Sequence, residues 1–515
     1  MVTTRTVTTR VRQGELRGSE HHSVLRFAGI PYAAPATGAL RFRRPEPPEP
    51  WSGVRDASAF GPIAPQQNLM ATMLGIEPEP QDEACHFLNV FTPQIDDARR
   101  PVLVWFNGGA FVMGSGSQPG YEGSRLAGPG GVVGVTGNYP LGALGFLHLA
   151  EHDPDHPDAG NLGILDQIAA LRWVRDNIEA FGGDPDNVTI FGESAGGMSV
   201  GTLLGTPEAQ GLFHKAIPQS GAAHNVSDTS HAAGITEAFL AKTGIDSVED
   251  LKRLRVEQLL EVQADFVLSF FTGIDRHTDD RNGVRIPFQP VADGVVLHRR
   301  AIDHVAAGSA AGVPILVGTC RDEWPLFPCR APAELDDAGL EARLAKVFHD
   351  PADAAAVYRS SLPGSTPKDL FGAAVTDLTF RIPAIRLAEA AHANGSDVYA
   401  YQFTWESPAM GGGFGACHAL DVPFVFGTTE AAGLGILLGD APPVSLVDAM
   451  QESWLAFART GDPSNDRLGR WPTYEPERRQ TMRLDEATEV LEDPESERRD
   501  LWEGMLVPSS EQMAG

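Results

Sequence analysis

Short apolar runs and amphipathic stretches take turns along most of this chain. Residues 102–106, Val-Leu-Val-Trp-Phe, are apolar at every position, which predicts a central strand covered on both faces of a sheet. Residues 87–91, 131–135, 188–191, 215–221, 313–318 and 398–403 read as further strands or strand ends. Residues 6–8, Val11 and residues 23–27 alternate polar and apolar, the pattern of short antiparallel strands. Within 162–180, Leu165, Ile168, Leu171, Val174 and Ile178 recur at helical spacing, and Gly182-Gly183 is the stop. Residues 195–204 are small and apolar and begin a buried helix. Residues 229–310 are helical and charged, with Leu251, Leu254, Leu259 and Leu260 on one side, and the last helix is expected over 446–459.

Strands alternating with helices predict an α/β fold with a doubly wound, mostly parallel central sheet. The 515 residues hold no Pro/Gly/Ser linker, low-complexity tract or internal repeat. The whole chain, 1–515, is therefore read as one domain with helical insertions around 225–310 and 330–395.

The net charge of −28 argues against nucleic acid and anionic membrane surfaces as partners. No apolar run approaches the length of a membrane span, and the Thr/Arg-rich start shows no signal-peptide core. With only four cysteines, these features lead us to expect a cytoplasmic protein. Cys85, Cys320, Cys329 and Cys417 form no C-x-x-C pair and no zinc spacing, so neither metal nor cofactor is expected. Cys320 and Cys329 flank Glu323 and could be bridged, but a reducing compartment favours four free thiols.

The chemistry gathers at Gly192-Glu193-Ser194-Ala195-Gly196. A serine in G-x-S-x-G between a buried strand and a helix reads as a nucleophile elbow, a tight turn that tolerates only small neighbours. It lifts the hydroxyl above the sheet edge and puts the Ala195 N–H at a helix N-terminus. Asn107-Gly108-Gly109 follows the central strand and lets backbone N–H groups approach a substrate, though an ordinary tight turn would look the same. Ser194, Glu323 and His418 each follow a predicted strand, and active groups collect at such carboxyl ends. The order serine, acid, histidine is that of α/β-hydrolases. The chain carries 15 histidines, so residue type alone singles out none.

Several stretches together resemble the type-B carboxylesterase family, nearer to its bacterial p-nitrobenzyl esterases than to the cholinesterases. They include residues 27–33, Phe-Ala-Gly-Ile-Pro-Tyr-Ala; residues 88–93, Leu-Asn-Val-Phe-Thr-Pro; Asn107-Gly108-Gly109-Ala110-Phe111; Gly160-Asn161-Leu162-Gly163; the elbow; Asp322-Glu323; and residues 418–427. The likeness runs from about residue 20 to 475. It implies an α/β-hydrolase fold and a serine esterase acting on short or medium apolar acyl esters, as monomer or homodimer. It makes Ser194 the nucleophile, His418 the base and Glu323 the acid that orients it. Asp322 and Asp421 are the rival acids. Gly108, Gly109 and Ala195 would donate to the oxyanion, with Glu193 and Ser220 standing behind the triad. His86, His148 and His214 are read as non-catalytic. An acid limb of activity is expected within about a unit of 6.5. The alternatives are hydrolysis of another acyl bond (thioester, amide or specialised ester) and an inactive binding or adhesion member of the fold.

Four positions depart from the family pattern. Asn107 stands for the usual histidine, and Trp324 for the small residue after the acid. Ala64 stands for a cysteine, which leaves Cys85 without that partner. Pro140 replaces an arginine that pairs with Asp166. Asp166 must then meet a local N–H, water or another arginine, or be exposed.

Overall fold

The computed structural model describes residues 5–245, 247–272, 286–327 and 334–505. Through them runs one sheet of thirteen strands: β1 Thr6–Val11, β2 Gly14–His21, β3 Val24–Pro31, β4 Val54–Asp56, β5 Phe87–Thr92, β6 Arg100–Phe106, β7 Val133–Gly137, β8 Gly183–Glu193, β9 Lys215–Gln219, β10 Ile315–Cys320, β11 Val398–Phe403, β12 Thr481–Leu484 and β13 Glu489–Leu491. The spatial order is β1-β2-β3-β5-β7-β6-β8-β9-β10-β11-β12-β13, with β4 beside β2. From β7 to β12 neighbouring strands are parallel. The β1–β3 end, β5 and β13 pair antiparallel.

The central strand shows why its residues are apolar throughout. Side chains alternate faces along a strand. Val102, Val104 and Phe106 enter one hydrophobic core, while Leu103 and Trp105 enter a second on the opposite face. Helices Leu162–Asn177 and Ala195–Leu204 lie in the first, and Val444–Thr460 in the second. All ten residues of Ala195–Leu204 are buried.

Some elements differ from the expectation. β2, β4, β12 and β13 are not predicted, because β2 is largely polar and the other three are only three or four residues long. Two strands and the short helix Ser496–Asp500 follow Val444–Thr460, which is therefore not the last helix. The 225–310 stretch holds helices Thr229–Thr243, Val248–Leu251, Val256–Thr272 and Ala301–Ala306. The second insertion carries Asp337–Leu344, Pro351–Ser361, Pro367–Thr376, a π-helical turn Asp377–Arg381, and Ile382–Ala393. Among the described residues no helix is long and apolar enough to cross a membrane.

Candidate active site

β8 ends at Glu193, and Ser194 turns the chain into helix Ala195–Leu204 with φ 58° and ψ −125°. A side chain at positive φ is strained, and the surroundings fix it there. Ser194 N–H donates to Gln219 O at 3.0 Å, and its carbonyl accepts from Met198 N–H at 2.8 Å. The small neighbours are required by space. A Cβ on Gly196 would lie 2.0 Å from Phe106 O, and one on Gly192 would lie 2.6 Å from the Gly196 backbone.

The loop after β6 crosses directly over this turn. A Cβ on Gly108 would lie 2.7 Å from Glu193 O and 3.1 Å from Ser194 Cβ. Gly109 has φ 111°, and a Cβ there would meet Met113 O at 2.2 Å. Among the described residues, the N–H groups of Gly108, Gly109 and Ala195 donate to no protein acceptor. Tyr139 holds the loop by donating its hydroxyl to Asn107 O at 2.9 Å, and Gln66 holds it through Gly114 N–H and O at 2.7 and 2.9 Å. Buried Asn107 donates to Gly108 O at 3.0 Å, so it braces the loop and leaves the N–H groups free.

His418 follows β11 on a long loop and is buried. Its Nδ1 lies 2.5 Å from Glu323 Oε2, and its Nε2 lies 3.1 Å from Glu193 Oε1. Glu323 is fully buried, and its other oxygen accepts the Cys320 N–H at 2.9 Å. The rival acids go elsewhere. Asp322 pairs with Arg321 and accepts the Ala416 N–H. Asp421 accepts from Gln219 Nε2 and Tyr401 OH, each at 2.9 Å. Ser194 Oγ makes no hydrogen bond to His418 here. Free hydrolase sites are often loose at this link.

The charges explain the titration. Burial alone would lower His418, but Glu193 and Glu323 outweigh it and hold the imidazole up at about 9. Glu193 is pushed up to about 8 by burial, opposed by His418 and helped by Asp421 and Glu323. Together these groups offer a strained hydroxyl, an imidazole fixed by a carboxylate, and free N–H donors beside the hydroxyl.

Ser220 is buried at φ 43° with its hydroxyl unpartnered, and its N–H donates to Gly318 O at 2.8 Å. His148 faces Glu151, and His214 Nδ1 lies 3.1 Å from the Val188 N–H. Sequence reasoning missed Phe327 and Phe380, whose rings lie 5.2 and 4.8 Å from the His418 ring. An aromatic in a loop, like Phe327, or on a helical stretch, like Phe380, carries no signal that separates it from core. The expected partner of Asp166 is corrected. Asp166 is buried, and among the described residues neither an arginine nor a backbone N–H meets it. His86 does, with Nε2 3.2 Å from Oδ1 but poorly aligned for a hydrogen bond. Cys85, Cys320 and Cys417 are free and buried; Cys329, and with it the bridge considered above, lies outside the described residues.

A parallel sheet carrying a serine elbow, an acid and a histidine at its strand ends is an α/β-hydrolase. The chain belongs to the carboxylesterase family, whose family model matches residues 3–502. It is 41% identical to the para-nitrobenzyl esterase of Bacillus subtilis over 495 residues, covering 94% of this chain and 96% of the relative. It is 35% identical to the phenmedipham hydrolase of Pseudarthrobacter oxydans, covering 93% and 95%. The crystal structure of a Geobacillus stearothermophilus carboxylesterase superposes with a TM-score of 0.86 at 39% identity, covering 96% of this chain and all of that one.

Proposed function

We propose that the protein is a serine carboxylic-ester hydrolase with Ser194 as nucleophile, His418 as general base and then acid, and Glu323 as the orienting carboxylate. The observation that carries it is the Glu323–His418 contact at the same sheet edge as the strained Ser194 turn. His418 takes the proton as Ser194 Oγ attacks the ester carbonyl. Gly108, Gly109 and Ala195 N–H groups stabilise the oxyanion, at about 3–4 kcal/mol per donor. Glu323 fixes the Nδ1–H tautomer and stabilises the imidazolium. His418 then protonates the leaving alcohol, and water repeats the cycle on the acyl-enzyme.

Phe327 and Phe380 beside the base support apolar ester substrates of short or medium acyl length. The continuous sheet supports one domain, and the three free buried thiols support a reducing, cytoplasmic setting. We infer a monomer or homodimer. The test is hydrolysis of p-nitrophenyl acetate. Turnover that vanishes in Ser194→Ala supports the reading, and absence of turnover in the unaltered protein overturns it.

A further inference from the structure

Phe380 reaches His418 from an unusual piece of backbone. It sits in the π-helical turn Asp377–Arg381, the only one among the described residues, between helices Pro367–Thr376 and Ile382–Ala393. Such turns are rare, and they are frequent at functional sites. Something must hold this one, and Asp377, in the same turn, is the anchor. Its Oδ1 accepts from Arg381 Nη1 at 3.0 Å and Arg498 Nη2 at 3.2 Å. Its Oδ2 accepts from Tyr358 OH at 2.8 Å and lies 3.2 Å from Arg498 Nε.

Arg498 comes from the short helix Ser496–Asp500, over a hundred residues later in the chain. It also donates to Glu495 Oε2 at 2.8 Å, and Arg381 pairs with the same carboxylate at 2.9 Å. Two carboxylates and two guanidinium groups thus balance, with Asp377, Arg381 and Arg498 all buried. Such networks add little net stability but demand a single geometry. Just upstream of the turn, Thr376 Oγ1 accepts the N–H of Trp324, the residue after Glu323. The π turn is thereby tied to the acid, to the base and to the helix Ser496–Asp500.

We propose that Arg498 is a positioning residue for His418: its guanidinium fixes Asp377, Asp377 fixes the π turn, and the turn holds Phe380 against the imidazole. The proposal rests on the esterase reading above. Glu193 Oε1 lies 3.1 Å from Nε2 without a hydrogen bond to fix the ring, so an aromatic ring packed at 4.8 Å limits the swing of the imidazole. The charged groups that face it are Glu193, Glu323 and Asp421. Lysine cannot replace the arginine, because the fork contacts both oxygens of Asp377.

The experiment uses the full chain with Arg498→Lys, Phe380→Leu and the double variant. Turnover of p-nitrophenyl acetate is scaled to active sites counted by the p-nitrophenol burst, and kcat/KM is followed against pH. Each single variant should lower kcat per site about tenfold to a hundredfold, as a small misplacement of a base does. KM should change little, and the acid-limb midpoint should move in the same sense in both. The double variant should lose no more than the worse single one, because both act through one contact. If Arg498→Lys does not fold, Tyr358→Phe removes one bond to Asp377 and should act in the same direction, more weakly. A lower melting temperature with unchanged kcat per site and midpoint, or additive losses, would overturn the proposal. Absence of both hydrolysis and burst in the unaltered protein would overturn the esterase reading instead, and this one with it.

Discussion

Glu193 Oε1 lies 3.1 Å from Nε2 of His418, the nitrogen that takes the serine proton in the proposed mechanism, while Glu323 holds Nδ1. One buried imidazole therefore faces two carboxylates. Glu193 Oε1 makes no hydrogen bond, so it acts on His418 through its charge.

The pH profile follows from this arrangement. A base works unprotonated, so activity rises with pH through the His418 midpoint. Burial lowers that midpoint, but Glu193 and Glu323 raise it to about 9. The acid limb should accordingly lie above the ordinary imidazole range, and not within about a unit of 6.5 as expected from the sequence, because the closeness of two buried carboxylates to the ring has no signal in the sequence. Glu193→Gln removes one raising charge and should bring the midpoint down by about a unit or more. A kcat/KM profile of the variant checks this, and an unmoved midpoint counts against it.

Substitutions in the triad should separate the two adjacent acids. Ser194→Ala should cost about five to six orders of magnitude in kcat with the fold intact. Glu323→Gln should cost about four orders, as loss of the orienting carboxylate does elsewhere. Asp322→Asn should cost far less, since Asp322 serves Arg321 and Ala416. Steady-state kinetics with circular dichroism as the folding control decide the ranking.

The oxyanion loop should tolerate no side chain at Gly109. Its φ of 111° strains any other residue, and a Cβ would meet Met113 O at 2.2 Å. Gly109→Ala must shift the loop and should lower kcat about a hundredfold to a thousandfold, the loss expected for one oxyanion donor. KM for a small ester should change little. Kinetics on p-nitrophenyl acetate provide the measure.

The parallel core was legible because its strands carry a strong local pattern. Residues 102–106 and 188–191 are apolar on both faces, and the elbow lies between two such signals. β2 and β12 were not, since strands with polar residues are made by pairing and not by their own composition. The same limit hid Phe380. Its role depends on a π turn set by Arg498, and no local window contains both. His86 was legible only as non-catalytic, because its partner Asp166 is eighty residues away.

Thiol chemistry gives an independent check on the core. Burial drives the Cys417 thiol up to about 12 and raises Cys85 and Cys320 further. Thiols held protonated and covered are unreactive. A thiol reagent should leave these three untouched in the native protein and find four in the denatured, unreduced chain. Two in the denatured chain would mean a disulfide.

The His86–Asp166 pair yields the last prediction. Burial raises Asp166 above the ordinary carboxylate range, and His86 pulls it back only in part. The folded chain thus binds this proton more tightly than the unfolded one. Between the two values the native state holds more protons, so stability falls as pH rises through the raised value. His86→Ala strands the carboxylate and should cost about 3–5 kcal/mol at neutral pH, and less in acid, where Asp166 is protonated. His86→Ala with Asp166→Asn should recover much of that loss, because no charge is left buried. Pro140 borders the same small cavity as Asp166 and Arg41. Pro140→Arg would set a permanent cation beside the carboxylate, lower its proton affinity and flatten the fall in stability with pH. Its stability at neutral pH should be equal or higher. Denaturant melts of the four proteins across pH measure this directly. A large loss in Pro140→Arg would mean that the loop after β7 cannot seat an arginine, and that the proline fixes its path.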